Sequence, residues 1–118
     1  MSTDFKLESL MQDDCLIIRT SGYINNIGGE EIVNSFNQAF ETGTNKVILN
    51  FSASKVVNSI GISHLIEIIE KLMGKEGRLV FSDLEPAVEK AFSIMGLFHF
   101  AKNAPTEVEA LALVREGQ

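Results

Sequence analysis

The chain has 118 residues, 45% of them hydrophobic, which suits one compact domain with its own core and leaves little room for two. A formal charge of -6 and a sequence pI near 4.8 argue against a bulk electrostatic hold on nucleic acid or on an anionic membrane surface. The apolar runs VILNF and HLIEII are far shorter than the ~20 residues that cross a bilayer, Cys15 has no intrachain disulfide partner, and MSTDFKLESL lacks the regions of a signal peptide, so the expectation is a cytoplasmic protein without membrane insertion.

In chain order, FKLESLMQ and CLIIRTSGYI predict two strands over residues 5–12 and 15–24, joined as a hairpin at Asp13-Asp14 and ended by Gly22. Ile32, Val33, Phe36 and Phe40 recur at helical spacing and predict a first helix over 27–40, with Gly43 as its stop. Val47, Ile48 and Leu49 are consecutive apolar residues, as in a central strand covered on both faces, over 46–51. The next helix has Ile62, Leu65, Ile66, Ile69, Leu72 and Met73 on one face and ends near Gly74 or Gly77. RLVFS predicts a fourth strand, and Pro86 opens a helix with Val88, Ala91, Phe92 and Met95 on its apolar side before Gly96. LFHFAKN reads as a fifth strand over 97–103. Thr106 and Glu109 have capping-box spacing and start a last helix containing Val108, Leu111 and Ala112. The order β-β-α-β-α-β-α-β-α defines an α/β domain, with a mixed, mostly parallel central sheet and packed helices.

A nucleophile with its base, a metal cluster or a phosphate cradle would point to an enzyme, and the sequence offers no clear catalytic residue, metal ligand or cofactor box. His64 lies beside the apolar stripe of its helix, where a partly buried structural histidine is commoner than a metal ligand, and His99 is far from it in sequence. Neither GxGxxG nor GxxxxGK[ST] occurs. Glu30, Glu31, Glu67 and Glu70 sit at helical positions that ordinarily face water, and Met11, Met73 and Met95 read as core gap-fillers.

The chemistry that remains lies in two loops that follow strands: Gly22-Tyr23-Ile24-Asn25-Asn26 and Asn58-Ser59-Ile60-Gly61. Asn58 or Ser59 would cap the helix that begins there. A serine hydroxyl at that joint also stands in solvent beside unpaired backbone N–H groups, where a phosphate is tolerated or favoured, so Ser59 is a candidate switch. Capping and switching are compatible.

VILNFSASKVVNSIGISHL resembles the STAS domain family, and within it the bacterial anti-sigma factor antagonists, in which a "V-x-L-D-hydrophobic-S" strand precedes a "hydrophobic-D-S-x-G" loop and an amphipathic helix. SGYIN is similar to the family's early "G-x-hydrophobic-D" turn, and FSDLEPAVEKAFSIMGLFHFAKNAPTEVEAL to its late segment in layout, so the resemblance spans nearly the whole chain as one STAS-like domain over 1–118. It implies a non-enzymatic module for partner switching. The unmodified protein would bind an anti-sigma factor, which is also a serine kinase; the kinase would phosphorylate Ser59 and release itself, and a phosphatase would reverse the step. Asn25, Asn26, Asn58, Ser59, Ile60 and Gly61 would form the partner surface, with no catalytic residue, metal or cofactor of the domain's own, no direct nucleic-acid contact, and a monomer or weak homodimer as the expected state.

The sequence departs from the family by carrying Asn25, Asn50 and Asn58 where aspartate is common. An amide keeps hydrogen-bonding capacity and loses any salt bridge to a partner's Arg or Lys. Next to a phosphate at ~4 Å, a carboxylate would meet a few kcal/mol of repulsion at an effective dielectric near 20, and Asn58 removes it. A switch of this kind would act by clash with the partner and leave the domain folded. Two other readings stand beside it: a non-switching STAS subunit of a lipid-transport or signalling complex, and a small-ligand-binding domain.

Overall fold

The strands alternate their side chains between two apolar layers, and this alternation sets the architecture of the computed structural model, which describes residues 4–116. In chain order the elements are β1 (Lys6–Gln12), β2 (Cys15–Ser21), α1 (Asn26–Phe40), β3 (Lys46–Ala53), α2 (Ser59–Met73), β4 (Arg78–Ser82), α3 (Pro86–Ile94), a 3-10 turn (Leu97–His99), β5 (Lys102–Ala104) and α4 (Glu107–Arg115). They form a five-stranded mixed sheet in the order β1-β2-β3-β4-β5, with β1 antiparallel to β2 and every later pair parallel. This is the α/β fold expected from the sequence.

Each parallel crossover steps to the next strand in the same direction, so connections of one hand place their helices on one face. Leu16, Ile18, Val47, Leu49, Phe51, Leu79 and Phe81 accordingly pack against Ile32, Val33 and Phe36 of α1, Leu65, Ile68 and Leu72 of α2, and Val88 and Phe92 of α3. The opposite face, with Cys15, Ile17, Ile48 and Val80, is covered by Ala110 and Val114 of α4. Burial there pushes the Cys15 thiol up to about 11, which keeps it protonated and inert near neutral pH.

Four expectations are corrected. LFHFAKN is not one strand: Gly96, at φ 82, ends the preceding helix, the chain makes a 3-10 turn, and pairing to β4 begins only at Lys102. Phe98 turns inward against Phe81 and Phe92, at centroid distances of 6.3 and 6.4 Å, and leaves Phe100 exposed. In the last helix the apolar residues singled out from the sequence are not the ones that anchor it, since Ala110 and Val114 are buried and Val108 is 77% exposed. In α2, Ile68 is buried and Ile66 only partly so. Met11, Met73 and Met95 are not core fillers; all three are exposed, and the last two line a recess of about 310 Å³ with Phe100.

One interaction explains the phase of α4. Arg19, on β2, donates from Nε and Nη2 to both carboxylate oxygens of Glu107 at 2.9 and 2.8 Å, and Asn50 donates from Nδ2 to Oε1 at 2.8 Å. Turning Glu107 toward the sheet carries Ala110 and Val114, three and seven residues on, to the same side and rotates Val108 outward. The Arg19 guanidinium first, and the Asn50 amide with it, hold the Glu107 carboxyl below the usual carboxylate range, against burial, which pushes it up. A carboxylate whose folded pKa is depressed contributes stability above its unfolded value near ~4.3, and that contribution is lost as pH falls through the folded value. Glu107→Gln is expected to cost about 1–2 kcal/mol at pH 7, discounted for the partial exposure of Arg19, with the deficit shrinking below about pH 5. Thermal melts of both chains from pH 7 to 3 check this; a deficit independent of pH would mean that the ion pair contributes nothing.

Candidate functional site

Beyond the regular sheet, the chain segments that leave β2 and β3 stay paired. Gly22 N–H donates to the Ala53 carbonyl, Ile24 N–H to that of Val56, and Asn58 N–H to that of Ile24, each at 3.0 to 3.1 Å, and Ile24 and Val57 form an isolated parallel bridge. Beneath them the hydroxyls of Thr20 and Ser54, both buried, lie 2.7 Å apart and tie the two segments a second time. The residues that follow the bridge on each side are Asn25 and Asn58, and each caps a helix. Asn25 Oδ1 accepts from the backbone of Ile27 and Gly28, both at 3.1 Å, and Asn58 Oδ1 accepts from Gly61 at 2.8 Å. The first backbone bonds match as well, Gly29 to Asn25 at 2.8 Å and Ile62 to Asn58 at 2.9 Å.

Two helix starts are therefore held side by side in register. Position by position, Asn25-Asn26-Ile27-Gly28 on α1 corresponds to Asn58-Ser59-Ile60-Gly61 on α2. Asn26 and Ser59 occupy the first helical position of each, both exposed, and Ile27 and Ile60 the second, at 59% and 52% exposure. The contact is close enough to require glycine at 61, where an added Cβ would collide with the carbonyl oxygen of Ile24. Lower down, the ring of His64 on α2 rests against Gly29 of α1, where a Cβ would stand 2.6 Å from it.

The structure thus brings together Asn25, Asn26, Asn58, Ser59 and Ile60 on one face, and places Gly61 beneath them, buried. The cap is Asn58, not Ser59, whose side chain is left to solvent. Ile27 and Val56, the latter 55% exposed, were not anticipated. The signal for Ile27 was present as the repeat of INNIG in VNSIG, too short to stand out without knowing that the two loops are neighbours. Asn50 lies outside this face, where its Oδ1 accepts from Ser52 N–H at 2.9 Å while its amide serves Glu107.

A family model described as the STAS domain matches residues 6–110. The chain belongs to the STAS domain family. A curated relative, BtrV of Bordetella bronchiseptica, described as a candidate anti-sigma factor antagonist, is 25% identical over 84 residues, 71% of this chain and 72% of its own length. An anti-sigma factor antagonist from Mycobacterium paratuberculosis superposes with a TM-score of 0.86 at 22% identity, over 98% of each chain, a likeness of fold. The Bacillus cell fate determinant SpoIIAA in its phosphorylated form gives a TM-score of 0.73 at 26% identity, over 95% of this chain and 100% of that one. Among the described residues of this STAS domain, no helix is long and apolar enough to cross a membrane.

The geometry separates residues that hold the site from the one that decorates it. Asn58→Ala is expected to cost about 1 kcal/mol through loss of the cap, a fall in melting temperature of about 3–5 °C, whereas Ser59→Ala should stay within about 0.5 kcal/mol of the wild type. Gly61→Ala, which forces two backbones apart, should exceed both, at about 2–3 kcal/mol. Urea unfolding of the three variants checks the order. Asn50→Asp would set a second carboxylate at hydrogen-bond distance from Glu107 and raise the apparent pKa of the pair. It should destabilise the STAS domain at pH 7 and recover most of the loss near pH 4; an equal loss at both pH values would show that the carboxylates do not meet.

Proposed function

We propose that this STAS domain is an anti-sigma factor antagonist that docks through its paired helix starts on an anti-sigma factor with serine-kinase activity, and that phosphorylation of Ser59 reverses the docking. The observation that carries the reading is the division of labour at the start of α2: Asn58 supplies the cap, and the neighbouring serine hydroxyl is exposed at the first helical position. A phosphate can be added there without breaking a hydrogen bond on which the fold relies.

The consequences follow from charge. A phosphoserine carries about 1.5 to 2 negative charges, which the positive end of α2 accommodates and which Asn58, unlike an aspartate, does not repel. The same charge stands among Ile27, Ile60 and Val56, and a docked protein that covers those side chains would have to strip water from the phosphate, at a cost of several kcal/mol. Release therefore needs no change of shape in this domain. Ser59 is a substrate in this reading; the kinase brings ATP and the base, and a phosphatase restores the docking form.

Mass spectrometry after incubation with ATP and the serine kinase that co-purifies with the chain is expected to find phosphate on Ser59 of the wild type and none on Ser59→Ala. Ser59→Asp should keep its melting temperature within about 2 °C and lose at least about tenfold in affinity for the anti-sigma factor, equivalent to about 1.4 kcal/mol. Phosphate that persists on Ser59→Ala would move the site elsewhere. A Ser59→Asp chain that unfolds, or that binds as tightly as the wild type, would sink the clash mechanism.

A further inference from the structure

Beside the paired helix starts, the beginning of β1 and the first turns of α1 enclose a hollow of about 450 Å³. Phe5 and Tyr23 form its aromatic wall, and they stand close to α1 because position 28 is glycine: a Cβ there would lie 2.9 Å from the Phe5 ring and 3.0 Å from the Tyr23 carbonyl oxygen. Asn25, whose Oδ1 is committed to the cap, and Ile27 line the side toward Ser59, so the hollow is continuous with the face proposed above. Glu31 lies four residues after Ile27, on the same side of α1. Its carboxylate is exposed and has no hydrogen bond or ion pair within the described residues. Asp4 contributes a second carboxylate, one that has partners of its own, and Lys6 is the single cation on the lining.

A planar or compact cation fits such a setting. Aromatic side chains in the lining are compatible with it, an unpaired carboxylate meets its charge, and an apolar rim accepts the aliphatic stem behind it. We infer that this hollow receives an arginine or lysine side chain of the protein docked on the helix starts; the inference rests on the docking reading and adds the chemistry of the partner's contact. Glu31 would then lie about 1.7 turns along α1 from the cap and extend the footprint away from the phosphate, so that charge attraction at one end and charge repulsion at the other act on the same partner.

Titration of the ¹⁵N-labelled chain with N-acetyl-arginine amide is expected to move the amide signals of Tyr23, Asn25, Ile27 and Glu31 with a weak affinity, on the order of ten millimolar or weaker, because an exposed ion pair adds little to the aromatic and apolar contacts. The neutral isostere N-acetyl-citrulline amide should not move them, and Glu31→Gln, at an exposed position and so with its melting temperature unchanged, should abolish the response. Against the anti-sigma factor, Glu31→Gln should weaken binding about 3- to 10-fold and leave Ser59 phosphorylation intact, while Glu30→Gln, outside the hollow, changes neither. Shifts that are absent, equal with citrulline, or unchanged in Glu31→Gln would overturn the inference, as would full affinity of Glu31→Gln for the anti-sigma factor. Failure of any anti-sigma factor to bind would instead defeat the docking reading, and the arginine titration would still decide whether the hollow takes a cation.

Discussion

The parallel pairing of the segments after β2 and β3 is the constraint on which the candidate site depends. Three backbone hydrogen bonds, the Ile24–Val57 bridge and the buried Thr20–Ser54 contact fix the two segments before either helix begins. Because each segment ends in its own asparagine cap, fixing one against the other also fixes the two helix starts in register. Neither start is a loop in the ordinary sense: both are ends of sheet-like structure from which helices spring, and their exposed residues inherit that rigidity.

The three asparagines that stand where aspartates are common do different work, and only one of them requires an amide. Asn25 and Asn58 use a side-chain oxygen to accept backbone N–H groups, a task that a carboxylate also performs. Asn50 accepts with Oδ1 and donates with Nδ2, and the donor is what lets it sit against Glu107. The residue at 50 is thus coupled to the ion pair that seats α4, whereas an amide in place of a carboxylate at 25 and 58 alters the charge beside the two helix starts and leaves the caps in place. What the sequence shows as one kind of substitution is two.

Local signals in the sequence were sufficient wherever the structure is set locally. The buried Val47-Ile48-Leu49 run, the capping box of Thr106 and Glu109, whose backbone N–H bonds Thr106 Oγ1 at 3.2 Å, and the strand-to-helix joint at Asn58-Ser59 all lie where periodicity and cap chemistry place them. The misreadings share a cause in distance. The phase of α4 is set by Arg19, 88 residues from Glu107, and no window around Val108 contains that information. LFHF alternates in no useful sense, because Phe98 is drawn into the aromatic cluster of Phe81 and Phe92, which comes from two other elements. Met73 and Met95 complete helical stripes on paper, but each stripe is wider than the surface available to cover it. Ile27 was missed for the same reason, since its importance comes from a neighbour 33 positions away in sequence, through the bridge of Ile24 to Val57.

The order of strands in the sheet follows the order of the chain, and that has a consequence for how the molecule assembles. Every strand pairs with the strand next to it in sequence, so no pairing in the sheet closes a loop longer than one strand-helix-strand unit. The far side is different: α4 is anchored to β2 by a contact that spans 88 residues, and the loop it closes contains most of the domain. By loop-closure entropy alone, the paired helix starts, joined across 33 residues, cost less chain freedom to bring together than the contact across 88 residues that ties the last helix to β2. The surface that would meet a partner is thus the less costly of the two to close.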